Sequence, residues 1–80
     1  MTHQLPEYKT YDLGCASALA SVGFEVLELD KSIIKKVQFI FRKNNELDEA
    51  VNLYWSGKLK VDARRYFEEL KNIKNRIYSD

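Results

Sequence analysis

The chain has one cysteine, one histidine and one proline in 80 residues, and its three glycines are scattered. Each scarcity excludes a class of function. One thiol cannot form an internal disulfide framework and suits a reducing compartment. One Cys and one His cannot build a structural zinc site. The histidine, His3, falls in a predicted N-terminal tail, where it cannot serve a Ser-His or Cys-His nucleophile pair. Gly14, Gly23 and Gly57 stand singly, so no glycine-rich loop exists to cradle a phosphate. No apolar run reaches about 18 residues, which excludes a membrane-spanning helix. No basic segment followed by an apolar stretch and a small-residue cleavage site opens the chain. The expectation is a cytoplasmic protein with no metal, no cofactor, no membrane contact and no small-molecule substrate.

Net charge is scarce as well. At +1 the total is too balanced to imply nucleic acid by itself, although the charge is unevenly spread. Residues 1–34 sum to −3, residues 35–60 to +3 and residues 61–80 to +1. The paired carboxylates Glu25/Glu28, Asp48/Glu49 and Glu68/Glu69 read as surface charge, because no other titratable group converges with them. The composition therefore describes a non-enzymatic chain.

What is present is an ordinary globular mixture, 45% apolar and 31% charged, with five Tyr, four Phe and one Trp to fill a core. Eighty residues suffice for one domain of marginal stability. Residues 1–7 form a predicted flexible tail ending near Pro6, and residues 8–80 a single α+β domain. YKTYD (8–12) reads as a strand, and Asp12 is placed to cap a helix over 13–22 that Gly23 ends. That helix is built of Gly, Ala, Ser and Cys, which lets it approach a sheet closely and buries Cys15. FEVLEL (24–29) and KVQFIF (36–41) read as strands, with DKSIIK as the turn between them. Asn44 or Asn45 caps a helix carrying Leu47, Ala50, Val51, Tyr54 and Trp55, which Ser56–Gly57 stops. A short extended piece is expected at 59–61, and Asp62 caps the final helix. The order is β-α-β-β-α-α, an antiparallel sheet with helices packed on it.

Tyr8-Lys-Thr-Tyr-Asp-Leu13, with Ala16, Leu19, Gly23–Phe24 and residues 37–41, resembles a small uncharacterised prokaryotic domain family. The likeness continues through Leu47, Tyr54-Trp-Ser-Gly57, residues 61–67 and residues 70–78, and its most recognisable pieces are the YKTxDL start and an aromatic-x-G-x-x-x-V-D pattern. That family is a domain of unknown function spread through bacteria, archaea and phage-like elements. The resemblance implies a compact domain of prokaryotic or mobile-element origin, and implies no activity or site residues.

Two partner classes stay open. For nucleic acid the candidates are Lys35, Lys36, Arg42, Lys43, Lys58, Lys60, Arg64 and Lys71. Phe39 and Phe41 lie between the first four, so they either stack bases on an open sheet face or fill the core. The last helix carries five cations, but on a helical wheel Ala63, Tyr66, Phe67, Leu70, Ile73, Ile77 and Tyr78 share about 140°, the stripe of a core helix. Lys74 falls inside that stripe. Arg64 and Lys71 take one shoulder and Arg65 and Arg76 the other, with Glu68 and Asn72 between, so the charged face reads as mixed. The alternative is a protein-interaction or inhibitor domain, or a homodimer, working through a second apolar sheet face bearing Ile33, Ile34 and Ile40.

Overall fold

The computed structural model describes residues 6–79, so residues 1–5 of the expected 1–7 tail, with His3, lie outside the described residues, while Glu7 at the end of that expected tail is the first residue of a strand. The elements are β1 (Glu7–Thr10), α1 (Leu13–Ser21), β2 (Val26–Ile33), β3 (Lys36–Arg42), α2 (Asn45–Trp55) and α3 (Ala63–Tyr78). This is the predicted α+β order, with β2 running four residues further than expected because strand pairing continues to Ile33↔Lys36. The stretch at 59–61 joins no strand.

Helix boundaries follow from caps that are legible in the sequence. The Asp12 carboxylate accepts from the Cys15 N–H at 2.7 Å, Asn44 Oδ1 from the Leu47 N–H at 2.7 Å, and Asp62 Oδ2 from the Arg65 N–H at 3.0 Å. At the far ends, Gly23 (φ +110°) and Gly57 (φ +75°) supply the left-handed residue that closes α1 and α2. Behind Gly23 the Phe24 N–H reaches back to the Leu19 carbonyl at 3.0 Å, and behind Gly57 the Lys58 N–H reaches Leu53 at 2.8 Å. The end of α3 is satisfied differently. Lys31, from β2, donates through Nζ to the Arg76 carbonyl at 2.9 Å and the Ser79 carbonyl at 3.4 Å, placing a cation at the negative end of the helix.

The sheet is antiparallel in the order β1-β3-β2, with β3 central. Tyr8 and Val26 pair with Phe41, and Thr10 and Leu29 with Phe39, so these residues share one face. All three helices close over it. Cys15, Ala16 and Leu19 of α1, Leu47 and Ala50 of α2 and Ile73 of α3 join Val26, Phe39 and Phe41 in one core. The small residues of α1 allow α2 and α3 to flank it. Phe39 and Phe41 are buried beneath that layer, so base stacking on the sheet is ruled out.

The other face carries Glu7, Lys9, Gln38, Ile40, Arg42, Glu28 and Asp30 by register. It is a polar face. Ile40 is its apolar exception, and its cross-strand neighbours Lys9 and Glu28 leave it only 5% exposed. Ile33 and Ile34 sit instead at the end of the β2–β3 hairpin, beyond an irregularity where Asp30 Oδ1 accepts from the Ser32 N–H at 2.9 Å. The expected second apolar face is therefore not formed. Ile33 and Ile34 make an exposed tip, and Ile40 is covered within the sheet.

Candidate nucleic-acid interface

Helix α3 is the place where the chain gathers cations. Its core contact is narrow, with Ile73 buried and Tyr66, Leu70 and Ile77 half-buried. Those positions span only about 60° of the wheel, because α3 packs at the side of the helical layer against α1. The wider stripe expected from the sequence does not survive: Phe67 is 56% and Tyr78 82% exposed.

The exposed arc runs about 200° around the helix, from Lys74 through Phe67, Tyr78, Lys71, Arg64, Asn75, Glu68, Asn72 and Arg65 to Arg76. It holds five cations, two asparagines, two aromatic rings and one carboxylate. That carboxylate, Glu68, is taken up by Arg64 Nε at 3.4 Å. Glu69, which in sequence breaks the basic run, is half-buried and turned toward the β2 side. Within the arc a narrower shoulder of about 80° carries Lys74, Phe67, Tyr78, Lys71 and Arg64 with no acid at all. There the Lys71 ammonium lies 5.3 Å from the centre of the Phe67 ring. Lys74, which the wheel puts inside an apolar stripe, stands in solvent beside these rings. Phe67, Tyr78 and Lys74 are the residues that sequence reasoning missed here, and the lysine among the aromatics was the available signal.

The other candidate cations are dispersed. Lys58 and Lys60 lie in the loop that feeds α3, next to the exposed Trp55, whose ring meets Tyr54 edge-on at 4.9 Å. Lys35 and Lys36 mark the β2–β3 turn, where Lys35 adopts φ +70° and the Lys36 ammonium sits 5.2 Å over the Tyr11 ring. Arg42 and Lys43 are at the opposite end of β3, about 20 Å from Lys36 along the strand. Lys43 is already paired with Asp48. The structure thus brings Arg64 and Lys71 together and leaves Lys35 and Lys36 apart from Arg42 and Lys43 by the length of the sheet.

Two further places bear on chemistry. A groove of about 590 Å³ separates the β2 edge from α3, lined among others by Phe24, Glu25, Leu27, Arg65, Asn72 and Arg76. Its arginines face Glu25 and Glu69, so it has no net preference for an anion. At the start of α1, Tyr54 Oη donates to Asp12 Oδ1 at 3.5 Å and Tyr8 Oη lies 3.9 Å from Cys15 Sγ. Burial pushes the Cys15 thiol up, and the Asp12 charge adds to that against an opposing bond from Tyr8. Burial likewise raises the Tyr8 and Tyr54 phenols. The raised thiol and phenols hold their protons at neutral pH. Among the described residues no group of three or more His, Cys, Asp or Glu could hold a metal, and no helix is long and apolar enough to cross a membrane.

No curated protein and no solved structure matches the chain. The family model of a domain of unknown function, DUF5659, matches residues 6–79. The chain belongs to that family.

Proposed function

We propose that this chain is a non-enzymatic binding module that contacts nucleic acid through the exposed arc of α3, with Lys58 and Lys60 extending the contact at its N-terminal end. The observation that carries the reading is the composition of that arc: five cations and two asparagines against one carboxylate, Glu68, which pairs with Arg64 and leaves four cations in excess. A polyanion gains from such a face because each neutralised phosphate releases a counterion. The free, buried Cys15 suits a cytoplasmic setting, and the resemblance of the sequence suits a phage or other mobile element.

The test is a salt titration of binding to a labelled oligonucleotide. Contacts from Arg64, Lys71 and Lys74 should give a log K against log salt slope of about −2 for a single strand. Changing Lys71 and Lys74 to Gln should flatten the slope by about 0.7 for each phosphate no longer neutralised. Absence of binding to DNA and RNA alike at low salt would end this reading.

A second reading has its own observation. Ile33 and Ile34 are exposed, Ile34 at 84%, and the Lys31 bond to Arg76 holds their hairpin against the end of α3. An apolar tip of this kind fits a protein partner or a second copy of the chain. Ile34→Asp should then abolish self-association in sedimentation or capture of a partner, and an unchanged mass with unchanged capture would sink it.

A further inference from the structure

We infer that the nucleic acid taken by α3 is single-stranded, and that Phe67 and Tyr78 are stacking platforms for its bases. This rests on the nucleic-acid reading above and names its ligand class. Large exposed rings are costly in a small domain, and here two stand on the one shoulder of α3 that carries no acid. They are interleaved with Arg64, Lys71 and Lys74 and lie about 16 Å apart along the axis. A duplex offers base edges and phosphates to a helix, and has no unstacked base to place on a ring. A single strand offers both: phosphates for the three cations, and π faces for the two rings, which stack on any base. The ammonium of Lys71 lies over one face of the Phe67 ring, so a base would take the opposite face while the ammonium holds a phosphate.

The experiment compares labelled oligo-dT and oligo-rU dodecamers with a duplex of equal length, by fluorescence anisotropy at low salt, for the unaltered chain and for Phe67→Leu and Tyr78→Leu. Both positions are exposed, and leucine keeps helix propensity, so far-ultraviolet circular dichroism should be unchanged. Either single strand should bind about tenfold or more tightly than the duplex, and each variant should lose roughly 5- to 100-fold in single-strand affinity while duplex affinity stays put. Tight binding of either dT or rU supports the inference. Duplex binding as strong as single-strand binding overturns it and leaves the nucleic-acid reading standing. So does single-strand binding that is indifferent to both substitutions, or a dimer that dissociates when the rings are removed while binding is unchanged. If no probe binds at all, the parent reading fails and this one with it.

Discussion

Gly14→Ala tests how the two ends of the sequence meet. Gly14 lies in the first turn of α1, where a methyl group would normally help: replacing glycine by alanine inside a helix gains about 0.5–1 kcal/mol. At this position a Cβ would stand 2.7 Å from Tyr54 Oη, 3.2 Å from Asp12 Oδ1 and 3.6 Å from Tyr66 Oη. The first contact is short by several tenths of an ångström, and neither of the two nearest atoms is idle. Tyr54 Oη donates to Asp12, and Asp12 caps α1 through the Cys15 N–H. Overpacking of this kind costs about 1–3 kcal/mol, so after the helix gain the net effect of Gly14→Ala is a loss of up to roughly 2.5 kcal/mol.

The double-mutant cycle with Tyr54→Phe isolates the cause. Phenylalanine deletes the oxygen at 2.7 Å and gives up only a long 3.5 Å hydrogen bond, worth less than about 1 kcal/mol. In the Tyr54→Phe background, Gly14→Ala should be neutral or stabilising by up to about 1 kcal/mol, a coupling of roughly 1–3 kcal/mol. Urea unfolding followed by circular dichroism and by Trp55 fluorescence measures it, with the m-value constant across the four proteins. For a domain of this size each kcal/mol also moves the melting temperature by about 4–8 °C. Equal destabilisation by Gly14→Ala in both backgrounds would refute the steric account. So would stabilisation in the protein that keeps Tyr54.

Ser17 is fully buried on α1, and its hydroxyl finds no hydrogen-bond partner among the described residues. Ser17→Ala should therefore raise stability by about 1 kcal/mol, and a shift of the urea midpoint to lower concentration would show that the hydroxyl is satisfied. Stability should also fall in alkali. The thiol of Cys15 and the phenols of Tyr8 and Tyr54 are raised on folding above their ordinary values of 9.0 and 10.0. The unfolded chain then releases protons first, so the contribution is complete below about pH 9 and is lost as pH rises through the folded values. Thermal melts from neutral to alkaline pH should show this decline, and Cys15→Ala should move its onset toward the phenol range; an unchanged onset would remove Cys15 from the account.

Much of this fold could be read from single residues with one physical role. Asp12, Asn44 and Asp62 each reach an N–H three residues on, and Gly23 and Gly57 each take the left-handed conformation that ends a helix. Alternation along Val37–Phe41 placed β3, and Tyr8–Thr10 placed β1. What could not be read was the width of each contact. A wheel counts apolar residues on α3 but does not know that its neighbour α1 is a slender helix of alanines and serines, so Phe67 and Tyr78 went to a core that has no room for them. Hairpin geometry was hidden for a similar reason: the sequence puts Ile33 and Ile34 on a second apolar sheet face, yet they lie beyond the strand irregularity after Asp30, at the exposed end of the hairpin. For the candidate site, the cations were visible one by one. Their assembly on α3, and the distance between Lys36 and Arg42, needed the topology.

The charges at the start of α3 bear on the proposed contact with a polyanion. Helix N-termini favour acids, and α2 follows the rule with Glu46 and Asp48 in its first turn. The first turn of α3 has no acid beyond its cap, and carries Arg64 and Arg65 against the positive end of the dipole. Each misplaced cation forgoes about 0.3–1 kcal/mol in a domain whose total stability is on the order of 4–12 kcal/mol. Phe67 and Tyr78 add the unfavourable exposure of two rings on the same helix. A helix selected only to cover α1 would have no reason to keep both departures, and acids in its first turn with polar residues at 67 and 78 would fold better. Departures from local rules that lack a folding benefit concentrate at functional surfaces. On α3 they coincide with one another: the arginines raise the positive potential where unsatisfied N–H groups already point outward, and the rings lie on the adjoining shoulder. Charge and stacking surface together are what a single-stranded polyanion requires, and each is a cost to the folded chain without it.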